Sequence, residues 1–550
     1  MKSRLLLLIF LFIHFSSSSQ SYFQQQVNHT INVLLDNKEK TLTGFETIIY
    51  KNNSPDTLFF LYFHLWPNAY RNKHTPFARQ QLAMSRSNFA LSSYKEKGYI
   101  DSLNFKVNGQ NIHWKYTDKS YEIAKLFLNE PLLPGKQIVI STPFFVKLPF
   151  LFSRMGYDKQ GNIAVTQWYP KPAVYDNYGW HVFHYLDLGE FYSEFGNYDV
   201  TITVPDSLIV AATGNLKTEQ EIKWLNNKIK HKNLFEKKPV STKMKTLRFT
   251  QNNVHDFAWF TNANYIVERD TVSIFNGHHV ETWLFYLPKN KKLYKNMLAK
   301  INQSVQLFSK WNGAYPYKTV KVVDGGLLAG GGMEYPTITV IASMDNAINL
   351  EETIIHEIGH NWFYGILGFN ERDYPFLDEG ITTSNQLRYM QTVYPKHYFG
   401  QNYLPDKLIK GKLSKYPQRF NMLIPYLVSA CSFSDCPTNT HSEKMTPINY
   451  ETIVYMKTAY LFYYLRYYLG DSVYDKAMNT FYNKWKFKHP YPENLSECFK
   501  SVTGKSLTWF FDQSINSSKK ANYKISTANN NIITIKNKGK INAPFEIGYY

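Results

Sequence analysis

His-Glu-Ile-Gly-His, residues 356–360, is the stretch that decides the fold of this chain, and Glu379 follows it within Leu-Asp-Glu-Gly. On a helix, His356 and His360 lie four positions apart, so their imidazoles project from the same face. Two histidine nitrogens and a carboxylate oxygen are a typical ligand set for a catalytic zinc ion, which keeps a fourth position open for water. Glu357 lies beside these ligands and could take a proton from that water. The pattern predicts a zinc hydrolase that binds one Zn²⁺ per chain through His356, His360 and Glu379.

A five-residue match can also arise by chance on a polar, solvated helix, but the flanking residues argue against that alternative. The surrounding side chains are mostly apolar, which predicts a core helix: Leu350, Ile354, Ile355, Ile358, Trp362 and Phe363. Histidines on such a helix would be buried and would need partners.

The neighbouring residues also suggest where the helices begin and end. Asn349 can cap the first helix, with Glu352 three residues later closing a capping box. Gly365 and Gly368 indicate its end. Pro375 is a suitable first-turn residue for a second helix that carries Glu379.

Three further acidic residues could act behind the zinc ligands: Glu351, Glu352 and Asp378. All three are expected in the first turns of these helices. Favourable interactions with the helix dipole therefore explain them more simply.

The zinc motif resembles that of the gluzincin aminopeptidases, the family of aminopeptidase N and the leukotriene hydrolase, although thermolysin-type endopeptidases are similar. A second motif, Gly331-Gly332-Met333-Glu334-Tyr335, resembles the family's Gly-x-Met-Glu-Asn exopeptidase signature, with Tyr replacing Asn. The resemblance implies that Glu334 binds the α-amino group of a peptide and that the residues before it line the substrate. A carboxylate pairs well with an ammonium in a dry cleft, and the glycines allow close approach to the backbone. The alternative is a glycine-rich turn that enters an edge strand, and both interpretations can hold together.

A tyrosine and a glutamine complete the resemblance. Tyr455, in Tyr-Met-Lys-Thr, resembles the family tyrosine that stabilises the oxyanion, although Thr458 replaces the usual Gly and Tyr450 and Tyr460 are rivals. Gln167, in Thr-Gln-Trp-Tyr-Pro, resembles a glutamine that lines the amine pocket. A polar residue that caps a strand before a Pro-rich loop explains Gln167 equally well.

Composition limits the class of protein. A chain of 550 residues suggests two or three domains. Hydrophobic residues make up 44% and aromatic residues 17%, which argues against wholesale disorder. The net charge of +19 raises nucleic acid or an anionic surface as partners. However, the lysines are dispersed and no nucleic-acid-binding motif is present, so a solvated basic surface is the prediction.

The first 19 residues have the layout of a signal peptide. Lys2 and Arg4 form a positive start, residues 5–15 are an apolar run, and residues 16–19 are small. The run is too short for a comfortable membrane span, although a retained signal anchor is the alternative. The sequence predicts export to the periplasm or out of the cell, without stable membrane insertion.

Residues 20–268 consist mainly of short strands separated by turn residues, which predicts a β-sandwich or saddle. Clear examples are residues 30–35 and 198–204. Gluzincin aminopeptidases also begin with such a domain.

Residues 269–515 resemble a thermolysin-like catalytic domain with a mainly helical second lobe. Strands at 320–323 and 337–341 precede helices that are expected around residues 350–367, 376–392 and 450–469. Residues 516–550 contain two strand-like pieces and predict the start of a short C-terminal β segment. The expected class is therefore α+β and multidomain, in a short or incomplete form because larger family members continue further.

Three cysteines exclude a disulfide-built scaffold, although Cys431 and Cys436 could pair and leave Cys498 free.

The resemblance implies an exported zinc aminopeptidase that acts on peptides with a free N-terminus. Glu357 would be the general base, and Glu334 together with Gln167 would anchor the amine. Three alternatives stay open: a zinc endopeptidase, an epoxide hydrolase and a non-catalytic binding protein on a degenerate fold. The intact motifs argue against the last, and Glu334 argues against the first. The preferred residue and the oligomeric state stay open.

Overall fold

The computed structural model describes residues 22–547 except 118, 232–242, 329, 402–411 and 530–531. The predicted signal peptide, residues 1–19, lies outside the described residues. The described chain has a β-rich N-terminal half followed by a largely helical region, so the predicted α+β class is confirmed.

A nine-stranded sheet organises the N-terminal half. Gln26–Asp36 lies at its centre, where it pairs in parallel with Gly196–Pro205 and antiparallel with Thr41–Lys51. Thr41–Lys51 pairs in turn with Gln137–Lys147. Alternate side chains along these strands are buried, as a period of two residues predicts. The other strands of this sheet are Met244–Val254, Asn215–Leu216, Tyr99–Asp101, Lys106–Val107 and Gln110–Asn111.

Two four-stranded sheets and a hairpin complete this half. One sheet contains Gly156–Tyr157, Ile163–Val165, Trp259–Asn262 and Ile209–Ala212. The other contains Lys171–Pro172, Leu58–His64, Ile123–Leu132 and Trp114–Tyr116, and the hairpin joins Val174–Asp176 to Gly179–His181. The helices of this half are Pro76–Ala83, Asn88–Leu91 and Glu219–Lys230, with 3₁₀ turns at Trp66–Tyr70 and Tyr94–Glu96.

A five-stranded sheet begins the predicted catalytic domain, which is called the catalytic region below. Its order is Ile266–Ser273, His279–Tyr286, Thr319–Asp324, Ile338–Ile341 and Gly332–Tyr335, and the last of these is an edge strand. The edge strand carries Glu334 and pairs antiparallel with Ile338–Ile341. The predicted boundary at residues 268 and 269 falls inside Ile266–Ser273, and the domain boundaries stay predictions.

Helices form the rest of the catalytic region. In chain order they are Met297–Asn312, Ala347–Gly359, Phe376–Gly380, Ile381–Val393, Phe420–Cys431, Pro447–Asn449, Tyr450–Lys457, Thr458–Leu469, Asp471–Trp485, Pro492–Thr503 and Trp509–Ile515, with 3₁₀ turns at Pro288–Asn290 and Ser442–Lys444. Phe376–Gly380, Tyr450–Lys457 and Trp509–Ile515 are π-helical. Ile354, Ile355 and Ile358 are fully buried in a hydrophobic cluster, which makes Ala347–Gly359 the predicted core helix.

The bounds of this zinc-motif helix differ from the prediction. Asn346, rather than Asn349, is the N-cap, and its side chain accepts hydrogen bonds from the backbone N–H groups of Ile348 and Asn349. The helix ends at Gly359 rather than near Gly365. Buried turns follow, and their apolar residues continued the helical pattern past the real end.

The C-terminal strands Tyr523–Asn529 and Ile532–Asn537 form an antiparallel hairpin, as the two strand-like pieces predicted. Cys431, Cys436 and Cys498 all lie in described parts of the chain, and each is a free thiol. The predicted option of a bridge between Cys431 and Cys436 is therefore not used. Within the described residues, no helix combines the length and the apolar character that crossing a membrane requires.

Candidate active site

The three predicted zinc ligands converge on one point. Nε2 of His356 lies 3.0 Å from Nε2 of His360. Oε2 of Glu379 lies 3.0 Å from Nε2 of His356 and 3.2 Å from Nε2 of His360. The histidines come from Ala347–Gly359 and the residue that ends it, and Glu379 comes from the π-helix Phe376–Gly380.

Acceptor groups at the other ring nitrogens orient both imidazoles. Nδ1 of His360 donates to Oδ1 of Asp378. Nδ1 of His356 donates to Oε1 of Gln386 at 3.1 Å. Both Nε2 atoms therefore face each other and the Glu379 carboxylate, and each could bind a cation placed between them.

This donor set fits zinc. Ligand atoms at 2.0–2.1 Å from a tetrahedral zinc ion lie about 3.3 Å apart, close to the three separations found here. Although burial opposes ionisation, His360 and His356 hold the pKa of Glu379 well below its usual range, so Glu379 is a carboxylate. The residues present thus supply two imidazole nitrogens and one anionic oxygen. Although burial opposes it, Asp378, Glu334 and Glu379 raise the pKa of His360 well above its usual range, and a zinc ion would take the place of the proton held there.

Glu357 points into the same cleft without joining the three ligands. Its side chain is buried, and Oε2 has no hydrogen-bond partner among the described residues. Burial raises the pKa of Glu357 to about 8. A Cβ atom on Gly332 would lie 2.6 Å from the Glu357 carboxyl group, so a larger residue there would displace the Glu357 side chain. The close approach explains one glycine of the second motif by packing.

Glu334 lies on the edge strand that faces the ligands. Its carboxylate, that of Glu357 and a ring nitrogen of His360 lie within 4.8 Å of one another. Glu334 is 5% exposed, and Oε1 has no hydrogen-bond partner among the described residues. Burial raises its pKa well above the usual range. An ammonium group would compensate such a carboxylate.

Tyr455 is the tyrosine that reaches the ligands. Its hydroxyl donates to Oε1 of Glu379, and its ring stacks on His356 with centroids 5.8 Å apart. Burial raises the pKa of Tyr455 well above its usual range, so the hydroxyl stays a donor. Tyr450 also lines the cleft, but its hydroxyl donates to Glu371 at 2.8 Å. Tyr460, the other rival, is not among the cleft residues.

The cleft around these residues has a volume of ≈ 680 Å³ and includes Gly331, Gly332 and Met333. Its opposite side comes from the N-terminal half, which sequence reasoning missed. Arg154 is buried there; it pairs with Glu190 and lies 3.3 Å from Oδ1 of Asp187. Irregular segments carry Arg154 and Glu190, so no periodic pattern or motif marked them.

Gln167 is not among the residues that line the cleft. It is fully buried, its Nε2 donates to Oδ2 of Asp256 at 2.8 Å, and its Oε1 accepts from the Tyr335 hydroxyl at 3.0 Å. The structure thus places it behind the edge strand. Its predicted contact with the substrate amine stays a prediction.

The acidic residues near the motif have different roles from those expected. Asp378 does orient His360, and it also lies in the first turn of its helix, so both interpretations hold for it. Glu351 and Glu352 lie beyond the first turn of Ala347–Gly359, so the helix-dipole explanation was wrong for them. Glu351 instead accepts hydrogen bonds from Tyr389 and Tyr394. Gln386 lies in the helix Ile381–Val393 and accepts a hydrogen bond from His356, a contact that the motifs did not indicate.

Fold and site together define the class of zinc metallopeptidases. Residues 300–514 match the model of the peptidase family M1 domain. The gluzincin resemblance and the predicted zinc cofactor are thereby confirmed.

Two fungal proteins are similar in sequence. "Aminopeptidase 2" of Candida albicans is 22% identical over 224 residues, which are 38% of this chain, and mitochondrial "Aminopeptidase 2" of Saccharomyces cerevisiae is 22% identical over 238 residues, which are 41%. The matched segments span 23% of the length of each relative.

Solved structures share the fold over most of the chain. An M1 zinc metallopeptidase from Deinococcus radiodurans is 15% identical with a TM-score of 0.59, covering 90% of this chain and 94% of that one. Legionella pneumophila aminopeptidase A, solved with aspartic acid, is 13% identical with a TM-score of 0.61, covering 93% of this chain and 52% of that one.

Proposed function

We propose that this protein is a zinc-dependent aminopeptidase that releases single residues from the free N-terminus of peptides. The observation that carries the proposal is the buried Glu334 carboxylate, which lies within 4.8 Å of His360 and has an oxygen without a partner among the described residues. A peptide ammonium bound there would place the first peptide bond beside the metal ligands. A variant of the Deinococcus protein was solved with a Tyr-Ser-Ala substrate, which supports peptides as the substrate class.

The residues of the cleft divide the work. Zinc held by His356, His360 and Glu379 would supply a Lewis acid for the scissile carbonyl. Glu357 takes the proton of the attacking water and delivers it to the leaving nitrogen, a task that a pKa near neutrality suits. Tyr455 donates a hydrogen bond to the charge that develops on the carbonyl oxygen. Glu334 fixes the N-terminus, and Glu190 on the opposite side of the cleft adds a second carboxylate.

A panel of aminoacyl chromogenic amides, each with its N-acetylated twin, tests the function before and after metal chelation. Chelator-sensitive cleavage of the free-amine substrates alone is the expected result. Cleavage of the acetylated twins would indicate an endopeptidase instead. Cleavage of neither, with zinc bound, would contradict the proposal and favour a binding role or another substrate.

Glu334→Gln tests the amine anchor within the same panel. The change keeps the shape but removes a charge-assisted hydrogen bond, so kcat/KM for free-amine substrates should fall about 10- to 150-fold. Zinc content should stay at one per chain. Glu443→Gln, a change of a glutamate outside this cleft, is the matched control and should leave kcat/KM unchanged.

We also propose that the protein is exported through residues 1–19, to the periplasm or beyond. The charged start and short apolar run support this. The N-terminal sequence of the mature protein, isolated from its native cell, tests it. A mature chain that still begins at Met1 would contradict cleavage.

A further inference from the structure

The edge strand that carries Glu334 has little support from its own sheet. It is four residues long, and within the described part of the chain it pairs with one strand, Ile338–Ile341. Successive residues of a strand project to opposite faces. Glu334 faces the metal ligands, whereas the Tyr335 hydroxyl reaches Gln167. The strand is therefore also held by the hydrogen bond from Tyr335 to Gln167, a residue of the N-terminal half.

Gln167 also contacts a buried ion pair formed by Asp256 and Lys171. Its Nε2 donates to Oδ2 of Asp256 at 2.8 Å, while Oδ1 of Asp256 lies 2.6 Å from Nζ of Lys171. Tyr169 donates to the same Oδ1 at 3.0 Å. Tyr335, Gln167, Asp256 and Lys171 are each no more than 3% exposed.

The donor and the acceptor can be assigned in each hydrogen bond that links Tyr335, Gln167 and Asp256. Although burial opposes ionisation, Lys171 holds the pKa of Asp256 below its usual range, so Asp256 accepts only. Gln167 must therefore turn its NH₂ group to Asp256 and its carbonyl oxygen to Tyr335. The Tyr335 hydroxyl is then the donor. A phenylalanine at position 335 would fill the same space but could not donate this hydrogen bond.

The backbone at Gln167 indicates that the contact is enforced. Gln167 has φ of 46°, in the left-handed region that residues other than glycine rarely adopt. Such conformations persist where the surroundings over-determine them. Here the surroundings are the Asp256 carboxylate on one side and Tyr335 on the other.

We propose that Tyr335 and Gln167 are positioning residues that hold Glu334 at the distance from the metal ligands where it binds a peptide ammonium. The inference rests on the proposed aminopeptidase function. It assigns a purpose to the tyrosine that stands where the resembling motif has asparagine: Tyr335 ties the substrate-binding strand to the core of the N-terminal half. Gln167 acts through Tyr335 rather than by touching the substrate.

The test compares two inhibitors on the zinc-loaded full chain. Leucine hydroxamate carries an α-amine, whereas 4-methylpentanohydroxamic acid has the same chain without it. The ratio of their inhibition constants, here called the amine increment, measures how well the protein binds the ammonium. In Tyr335→Phe the amine increment should fall about tenfold, as expected for one buried hydrogen bond behind the anchor. The constant for the desamino compound should change less than twofold.

A merely structural role would weaken both inhibitors alike, and that result would overturn the proposal. An unchanged amine increment in Tyr335→Phe would also overturn it. Tyr482→Phe is the matched control, because this buried hydroxyl donates to the backbone oxygen of Ala314 at 2.6 Å and lies outside the cleft. In a Glu334→Gln background, Tyr335→Phe should have no further effect. If the wild-type protein itself shows no amine increment, the proposed function fails, and this inference fails with it.

Gln167→Glu gives a second, independent readout if the first variant folds poorly. The new carboxyl group would face the Tyr335 hydroxyl and Asp256, and Asp256 in turn contacts Lys171 and Tyr169. Its protonated form can donate to Asp256 and accept from Tyr335, so the amine increment should be near normal at low pH. Ionisation places two carboxylates in contact, so the increment should decline as pH rises. A pH profile identical to that of the wild type would contradict the proposal.

Discussion

The two walls of the cleft compensate their carboxylates in different ways. The helical wall, residues 356–360, 379 and 455, surrounds Glu379 with two histidines and so forms a metal site. The N-terminal wall, formed by Arg154, Asp187 and Glu190, compensates its two carboxylates with a buried guanidinium group. Glu334 lies between the walls, and its Oε1 has neither kind of partner among the described residues.

This difference shows why the charge of the whole chain says little about its ligand. The chain carries a net charge of +19, yet the described residues that line the cleft include seven acidic side chains and two arginines: Asp187, Glu190, Glu334, Glu352, Glu357, Glu379, Glu451, Arg86 and Arg154. Part of this acidity is compensated within each wall, and burial raises the pKa of Glu334 and of Glu357. A cationic group bound beside them would favour their ionised forms. The ammonium of a peptide N-terminus is such a group.

The largest effect is expected for Glu357→Gln, a variant that distinguishes proton transfer from metal binding on the helical wall. Glu357→Gln should lower kcat by about 10²- to 10⁴-fold, because the variant lacks the proposed general base. Zinc content should stay at one per chain, because Glu357 is not one of the three converging ligands. Turnover numbers and elemental analysis of the purified variant check both parts. Wild-type turnover would show that another group is the base.

The next effect breaks the compensation in the N-terminal wall. Arg154→Met leaves Glu190 and Asp187 buried without their shared cation, which should cost about 3–5 kcal/mol of unfolding free energy. Arg86→Met is the matched control: this arginine is half exposed and 3.4 Å from Asp187, so its loss should cost less than about 1 kcal/mol. Denaturant unfolding of both variants measures the difference. Equal costs would show that burial does not distinguish the two arginines.

Tyr455→Phe removes a donor from the helical wall without removing a ligand. We expect kcat to fall about 10²- to 10³-fold with KM nearly unchanged, because the proposed role of the hydroxyl is to bind the charge that develops during the reaction. Tyr460→Phe, on the following helix but outside the cleft, should leave kcat as it is. A parallel rise in KM would instead indicate that Tyr455 binds the ground state.

The smallest effect concerns the groups behind the metal ligands. Asp378→Asn weakens the acceptor that orients His360, so zinc affinity should fall about 10- to 100-fold. Competition with a chromogenic chelator measures the affinity. Asp373→Asn, which alters a partner of His441 away from the ligands, is the control. Equal zinc affinities in all three proteins would remove Asp378 from the metal site.

Sequence predicts best where function depends on spacing along one element. His356 and His360 share a helical face by periodicity alone, and strands such as Gln26–Asp36 show their alternation directly. The N-terminal wall could not be predicted in this way, because Arg154 and Glu190 reach the cleft from irregular segments through tertiary packing. Gln167 lies between these two cases. The motif around it indicates a strand near the cleft, but the sequence does not show that its side chain turns towards Asp256 instead.

Because of the π-helical turns, the site depends on the number of residues in two short segments as well as on which residues they contain. Glu379 and Tyr455 both lie in π-helical segments that continue as regular α-helices, Ile381–Val393 and Thr458–Leu469. Such segments close i to i+5 hydrogen bonds and so hold an extra residue per turn. Deleting one residue in either segment would restore an ordinary helix, yet it would rotate the preceding side chains by about 100° relative to the rest. A chain shortened in this way could keep its helices and every catalytic residue and still lose the site.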